Sequence, residues 1–101
     1  MPEDTIFKNK FKEKIDIQRP KLYKVILHND DYTTMDFVIE ILITVFSKPV
    51  SEATKIMLDV HKKGKGIVGL FTYDIAQTKT TIVDAMAREK QYPLKTSIEE
   101  A

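Results

Sequence analysis

The stretch Tyr23-Lys24-Val25-Ile26-Leu27-His28-Asn29-Asp30-Asp31-Tyr32-Thr33-Thr34-Met35-Asp36-Phe37-Val38 decides how this chain is read. An apolar run stops abruptly at Asn29-Asp30-Asp31, and helix signals begin a few residues later. Alternating apolar residues rich in Val and Ile are strand-like, so Leu22–His28 is expected to form the first strand, with Tyr23, Val25 and Leu27 on one face. Thr33-x-x-Asp36 has the form of a capping box, although Asp reaches less far than Glu. The helix it opens is expected to run to about Ser47, with Phe37, Val38, Ile41, Leu42, Val45 and Phe46 at helical spacing. Three acceptor-rich side chains thus fall at a strand-to-helix junction beside apolar residues. Such a pairing suits a ligand with one positive and one hydrophobic end. A free peptide amino terminus with a large first side chain is such a ligand.

Downstream, Pro49 breaks the first helix and Ser51 is the expected cap of a second. Ala53, Ile56, Met57 and Val60 form its inner stripe, and Gly64 ends it. Ile67–Ile75 reads as a second strand and Gln77–Lys90 as a third helix, with Ile82, Val83, Met86 and Ala87 inward. Pro93 stops that helix, and Leu94–Ile98 is a last short strand. The fold class expected is α+β: a small sandwich of a three-stranded antiparallel sheet with three helices on one side, in the order β-α-α-β-α-β. Upstream, residues 1–20 lack a dense apolar face and read as a flexible N-terminal arm, with residues 21–101 as the folded core. The competing expectation is that Phe7, Phe11, Ile15 and Ile17 pack on the domain as an edge strand.

The 101 residues suffice for one domain and one modest core. A formal charge of +1 argues against bulk nucleic acid or an anionic membrane as partner. There is no cysteine, which excludes disulfides and thiolate catalysis. No apolar run approaches the roughly 20 residues of a membrane span. The N-terminus has no signal-peptide stretch, and its acidic residues argue against a transit peptide. A cytoplasmic location is the expectation.

Each candidate cluster also has a plainer reading. Asn29, Asp30 and Asp31 can form a turn in which Asx side chains bond nearby amides. Adjacent loop acids point in different directions, unlike the paired carboxylates of glycoside hydrolysis. A metal site drawn from His28, Asp30, Asp31 and His61 has no tight ligand spacing. His61, at the edge of the second helix's stripe, reads either as a cation favoured near a helix C-terminus or as a neutral acceptor turned inward. Met35 and Met57 read as core or as the lining of an adaptable pocket. Lys62-Lys63-Gly64-Lys65-Gly66 lacks the full phosphate-loop pattern and reads as a solvated basic turn.

Taken together, Tyr23-Lys24-Val25-Ile26-Leu27, Asn29-Asp30-Asp31-Tyr32-Thr33, Met35-Asp36-Phe37-Val38, Met57, Val60-His61, Gly64-Lys65-Gly66 and Thr78-Lys79 resemble the ClpS family, adaptors that deliver N-degron substrates to the ClpAP protease. The resemblance covers residues 21–98. It implies that Asn29, Asp31 and His61 hold the substrate's α-amino group, with Asp30 beside them. It implies a first-side-chain pocket lined by Met35, Val38, Met57, Val60 and Leu94, with Thr33 at the rim. Tyr32, Asp74 and Lys79 match the surface that similar proteins present to the N-terminal domain of a ClpA-type unfoldase. A monomeric adaptor follows, with no catalytic residue, cofactor or metal. Two departures stand out: Thr34, where many relatives have proline, and His28, where an aliphatic residue is common and which should point away from the pocket. A second reading is a partner-docking domain like the C-terminal domain of the ribosomal stalk, without a peptide pocket.

Overall fold

The computed structural model describes residues 19–101, so most of the expected arm lies outside the described residues. Three strands and three helices follow one another as β1 (Tyr23–His28), α1 (Met35–Thr44), α2 (Val50–Lys63), β2 (Lys65–Phe71), α3 (Tyr73–Glu89) and β3 (Lys95–Glu100). The sheet order is β2-β1-β3, and both pairings are antiparallel. The helices cover one face, as expected for the fold class.

β1 takes the centre because Val25, Ile26 and Leu27 can all be buried there. Its register with β2 runs Val25↔Gly69 and then Ile26↔Ile67, so Val68 is the extra residue of a bulge and turns into the core. On the opposite sheet face, His28 Nε2 lies 2.7 Å from Ser97 Oγ. His28 therefore does point away from the helices, as strand alternation requires.

Beneath the sheet, Ile41 and Leu42 of α1 meet Ala53, Ile56, Met57 and Val60 of α2 in one apolar cluster. α2 lies directly on β2: a Cβ added at Gly66 would stand 2.8 Å from Val60 Cγ2. α3 presents Ala76, Thr80, Val83 and Ala87, a 4-3-4 spacing of small side chains that lets it approach closely.

Several boundaries differ from the sequence reading: β2 is Lys65–Phe71 instead of Ile67–Ile75, because Tyr73 and Ile75 belong to α3, and β3 is Lys95–Glu100 instead of Leu94–Ile98. α1 is capped by Thr34, whose Oγ1 accepts from the Phe37 amide at 3.1 Å, because Thr33 is already committed to Asp30. It ends at Thr44, and Ser47 (φ 54°) turns the chain out of the helix ahead of Pro49. α2 starts before Ser51, with Pro49 at its cap position and no side-chain cap bond. α3 starts at Tyr73, four residues before the expected Gln77, and Ile82 is exposed instead of inward. The expected Gly64 stop holds: its φ is 88° and its amide bonds the Val60 carbonyl. Among the described residues no helix is long and apolar enough to cross a membrane.

Candidate functional site

The loop after β1 is held at both ends. The Asn29 amide donates to the Gly64 carbonyl at 2.9 Å, so the left-handed turn that ends α2 also anchors the loop. That tie puts Asn29 and His61 on one rim. At the far end Thr34 caps α1 and fixes where Met35 and Val38 emerge.

Between these anchors Asp30 organises the backbone. Its Oδ1 accepts from the amides of Tyr32 (2.8 Å) and Thr33 (2.7 Å), and its Oδ2 accepts from Thr33 Oγ1 at 2.7 Å. This is the Asx turn that residue type alone suggests. Partial burial pushes the Asp30 carboxyl up, but the hydrogen bonds from the Thr33 side chain and from the Thr33 and Tyr32 amides outweigh it. The net effect holds the carboxyl below its ordinary value, so it stays charged at neutral pH. Asn29, Asp31 and His61 make no side-chain hydrogen bond to another described residue.

A cleft of about 430 Å³ opens here. Its polar rim is Asn29, Asp30, Asp31, Thr33 and His61. Its apolar floor is Val38, Met57 and Val60, all buried, while Met35 stands at the mouth with 44% exposure. The arrangement offers acceptors at one end and an apolar surface at the other. It can hold a donor-rich cation attached to an apolar group. Among the described residues the His61 ring is hydrogen-bonded to no hydroxyl.

Not every expected residue joins this cleft. Leu94 is buried but lines a separate groove between α3 and β3. Asp74 is exposed in the first turn of α3. Lys79 is half-buried and faces inward: its Nζ donates to the Val45 carbonyl at 2.7 Å and lies 5.8 Å from the Phe46 ring centroid. It thereby caps the C-terminal end of α1. Two residues read otherwise from sequence also line the cleft. They are Tyr32, expected only on a partner surface, and Thr34, expected only as a helix start. Adjacency to the Asn-Asp-Asp run was the signal available for both.

A family model described as ClpS, ATP-dependent Clp protease adaptor protein, matches residues 18–97. The chain is 59% identical over 99 residues to an ATP-dependent Clp protease adapter protein ClpS of Acetivibrio thermocellus, covering 98% of each chain. It is 56% identical over 96 residues to the protein of that name from Clostridium acetobutylicum, covering 95% of each. Among solved structures it is similar to Agrobacterium tumefaciens ClpS2 bound to L-phenylalaninamide, with a TM-score of 0.78 and 37% identity. That match covers 82% of this chain and 100% of the other.

Proposed function

The chain belongs to the ClpS family of adaptor proteins for the ATP-dependent Clp protease, and from that premise we propose that it binds N-degron substrates and delivers them to a ClpA/ClpP machine. The substrate's free α-amino group sits among Asn29, Asp30, Asp31 and His61. Its large hydrophobic first side chain enters over Met35 toward Val38, Met57 and Val60. One observation carries this reading: a fixed, charged carboxylate and a buried apolar floor share a single cleft. L-phenylalaninamide, the ligand of the Agrobacterium relative, pairs a free α-amino group with a benzyl side chain, which supports the same chemistry here.

The division of labour among the acceptors follows from their surroundings. An α-ammonium has an ordinary pKa near ~8 and three donors. Asp30 supplies a negative charge whose position is fixed before the ligand arrives, so little order is lost on binding. Asn29 and His61 offer acceptors with no competing partner. Asp31 is exposed and adds a second, more screened charge. The amine contacts and the burial of one large side chain together suit affinity near the micromolar range, on the order of 8 kcal/mol. Neither half suffices alone, so the site detects the coincidence of the two. The role is binding and hand-over without catalysis.

Delivery uses the N-terminal domain of a ClpA-type unfoldase in the cytoplasm, with the adaptor as a monomer. Tyr32 at 75% exposure and the exposed Asp74 are accessible for that contact. Lys79 joins only if it leaves the Val45 carbonyl. The test is reconstituted degradation of reporters beginning with Phe or Met by the partner protease. The adaptor is expected to accelerate loss of the Phe reporter only, and equal loss of both contradicts the reading.

A further inference from the structure

Three depressions follow one another from the start of α1 to the end of α3. The candidate cleft shares Thr34 with a smaller one of about 170 Å³, which also contains Glu40, Lys90 and Tyr92. That depression in turn shares Tyr92 with the groove between α3 and the start of β3, about 460 Å³ in volume. The last groove is as roomy as the candidate cleft. Its walls are apolar at Ala87, Tyr92, Pro93 and Leu94.

Its shape is fixed by the way α3 ends. Gln91 adopts φ 61°, the Gln91 amide bonds the Arg88 carbonyl at 3.0 Å, and the Tyr92 amide bonds the Ala87 carbonyl at 2.8 Å. This is a Schellman motif with Gln in the left-handed position. It presses the Tyr92 ring edge-on against Phe37, with centroids 5.0 Å apart. Tyr92 is therefore a fixed ridge between the second and third depressions.

The groove also has a charge bias. Arg88 and Lys95 line it, are exposed, and form no ion pair with a described residue. Its acid, Asp84, accepts from Thr96 Oγ1 at 3.2 Å and keeps its charge, so the lining carries two cations against one anion. An apolar trough flanked by two unpaired cations favours an apolar side chain with acidic neighbours.

We propose that this groove is a second peptide-reading subsite, which takes an apolar residue flanked by acidic residues several positions downstream of the substrate's first residue. The inference rests on the N-degron reading above. The intervening backbone lies across Thr34 and Tyr92, and the tethered second contact gains from the high effective concentration that the first one creates. Each exposed charge contact adds only a few-fold in affinity, so the subsite tunes the choice among N-degrons that the first cleft already accepts.

The test uses labelled peptides that begin with Phe and carry a Leu-Asp-Glu element after a Gly/Ser spacer. The spacer is varied from about two to eight residues, at roughly 3.3 Å each. At the best spacing the element is expected to raise affinity about three- to tenfold over a plain Phe-Gly/Ser peptide. That gain should vanish in R88E/K95E while the plain peptide binds this variant normally. Leu-Lys-Lys in place of Leu-Asp-Glu should restore it. No gain at any spacing, with the plain peptide still bound, overturns the subsite alone, as does a gain that survives the charge reversal. Failure of the plain peptide to bind the unaltered protein overturns the underlying reading and the subsite with it.

Discussion

Replacing Asp30 separates the two jobs assigned to it. Asp30→Ala removes three hydrogen bonds and leaves the Tyr32 and Thr33 amides and the Thr33 hydroxyl without their acceptor. The loop is half-exposed, so water replaces much of the loss, and the net effect should be about 1–2 kcal/mol. For a domain of this size that is a fall of roughly 5–15 °C in Tm. Asp30→Asn is different. Its amide oxygen can still accept from both backbone N–H groups, and its NH₂ can donate to Thr33 Oγ1. The turn should survive, with Tm within about 2 °C of the parent. Only the charge is gone. At an effective dielectric near 20 and a separation of about 5 Å, a carboxylate attracts an ammonium by roughly 3 kcal/mol before screening. Calorimetry with a Phe-initiated peptide should therefore show affinity about ten- to hundredfold weaker for Asp30→Asn. Because the Asp30 carboxyl is held below its ordinary value, its contribution to stability is full above the ordinary carboxylate range and is lost as pH falls through the depressed value. Acid unfolding of Asp30→Asn should lack that component. Parent-like affinity in Asp30→Asn refutes the charge assignment, and a Tm as low as that of Asp30→Ala refutes the turn geometry.

Three further outcomes are expected. Met35 stands at the mouth of the cleft, and its thioether is expected to press on the β-carbon of a bound first residue; Met35→Ala should admit Val- and Ile-initiated peptides with little loss for Leu or Phe, and unchanged discrimination by fluorescence anisotropy places the gate elsewhere. His61 offers an acceptor that no other described side chain occupies, so His61→Ala should weaken binding of a Phe-initiated peptide by about tenfold with Tm little changed; parent-like affinity argues against a direct imidazole contact. Lys79→Met keeps an apolar stem near Phe46 but loses the bond to the Val45 carbonyl, so Tm should drop by about 4–8 °C with peptide affinity unchanged; an unchanged Tm means the cap is not formed in solution.

Much of the fold was legible because the chain's apolar periods are strong. The inner stripe of α2 reads directly as Ala53, Ile56, Met57 and Val60, and Gly64 marks its end through a backbone angle that glycine reaches without strain. The start of α3 was not legible. Tyr73 and Ile75 alternate with polar neighbours and extend the preceding strand pattern, whereas the helical period appears only once Ala76, Thr80, Val83 and Ala87 are seen packed on the sheet. Ile82 misled for the same reason, since a large apolar residue looked more inward than the small ones that let α3 sit close. In the site, acceptor residue types at a strand-helix junction located the cleft. They did not reveal which acid was tied down, because Asp30 and Asp31 differ only in the direction the loop gives them. The placement of Leu94 and the inward turn of Lys79 depend on the end of α3 and its approach to α1, contacts remote in sequence.

On the proposed function, a free α-amino group and a large first side chain are read together in one cleft. Calorimetric titration of the full chain with a Phe-initiated peptide and its N-acetylated counterpart tests it most directly. Acetylation removes the charge and two of the three donors while leaving the benzyl group in place. The free peptide is expected to bind near the micromolar range and the acetylated one at least about a hundredfold more weakly, a difference of roughly 2.7 kcal/mol or more. Equal affinity for the two peptides would contradict the claim.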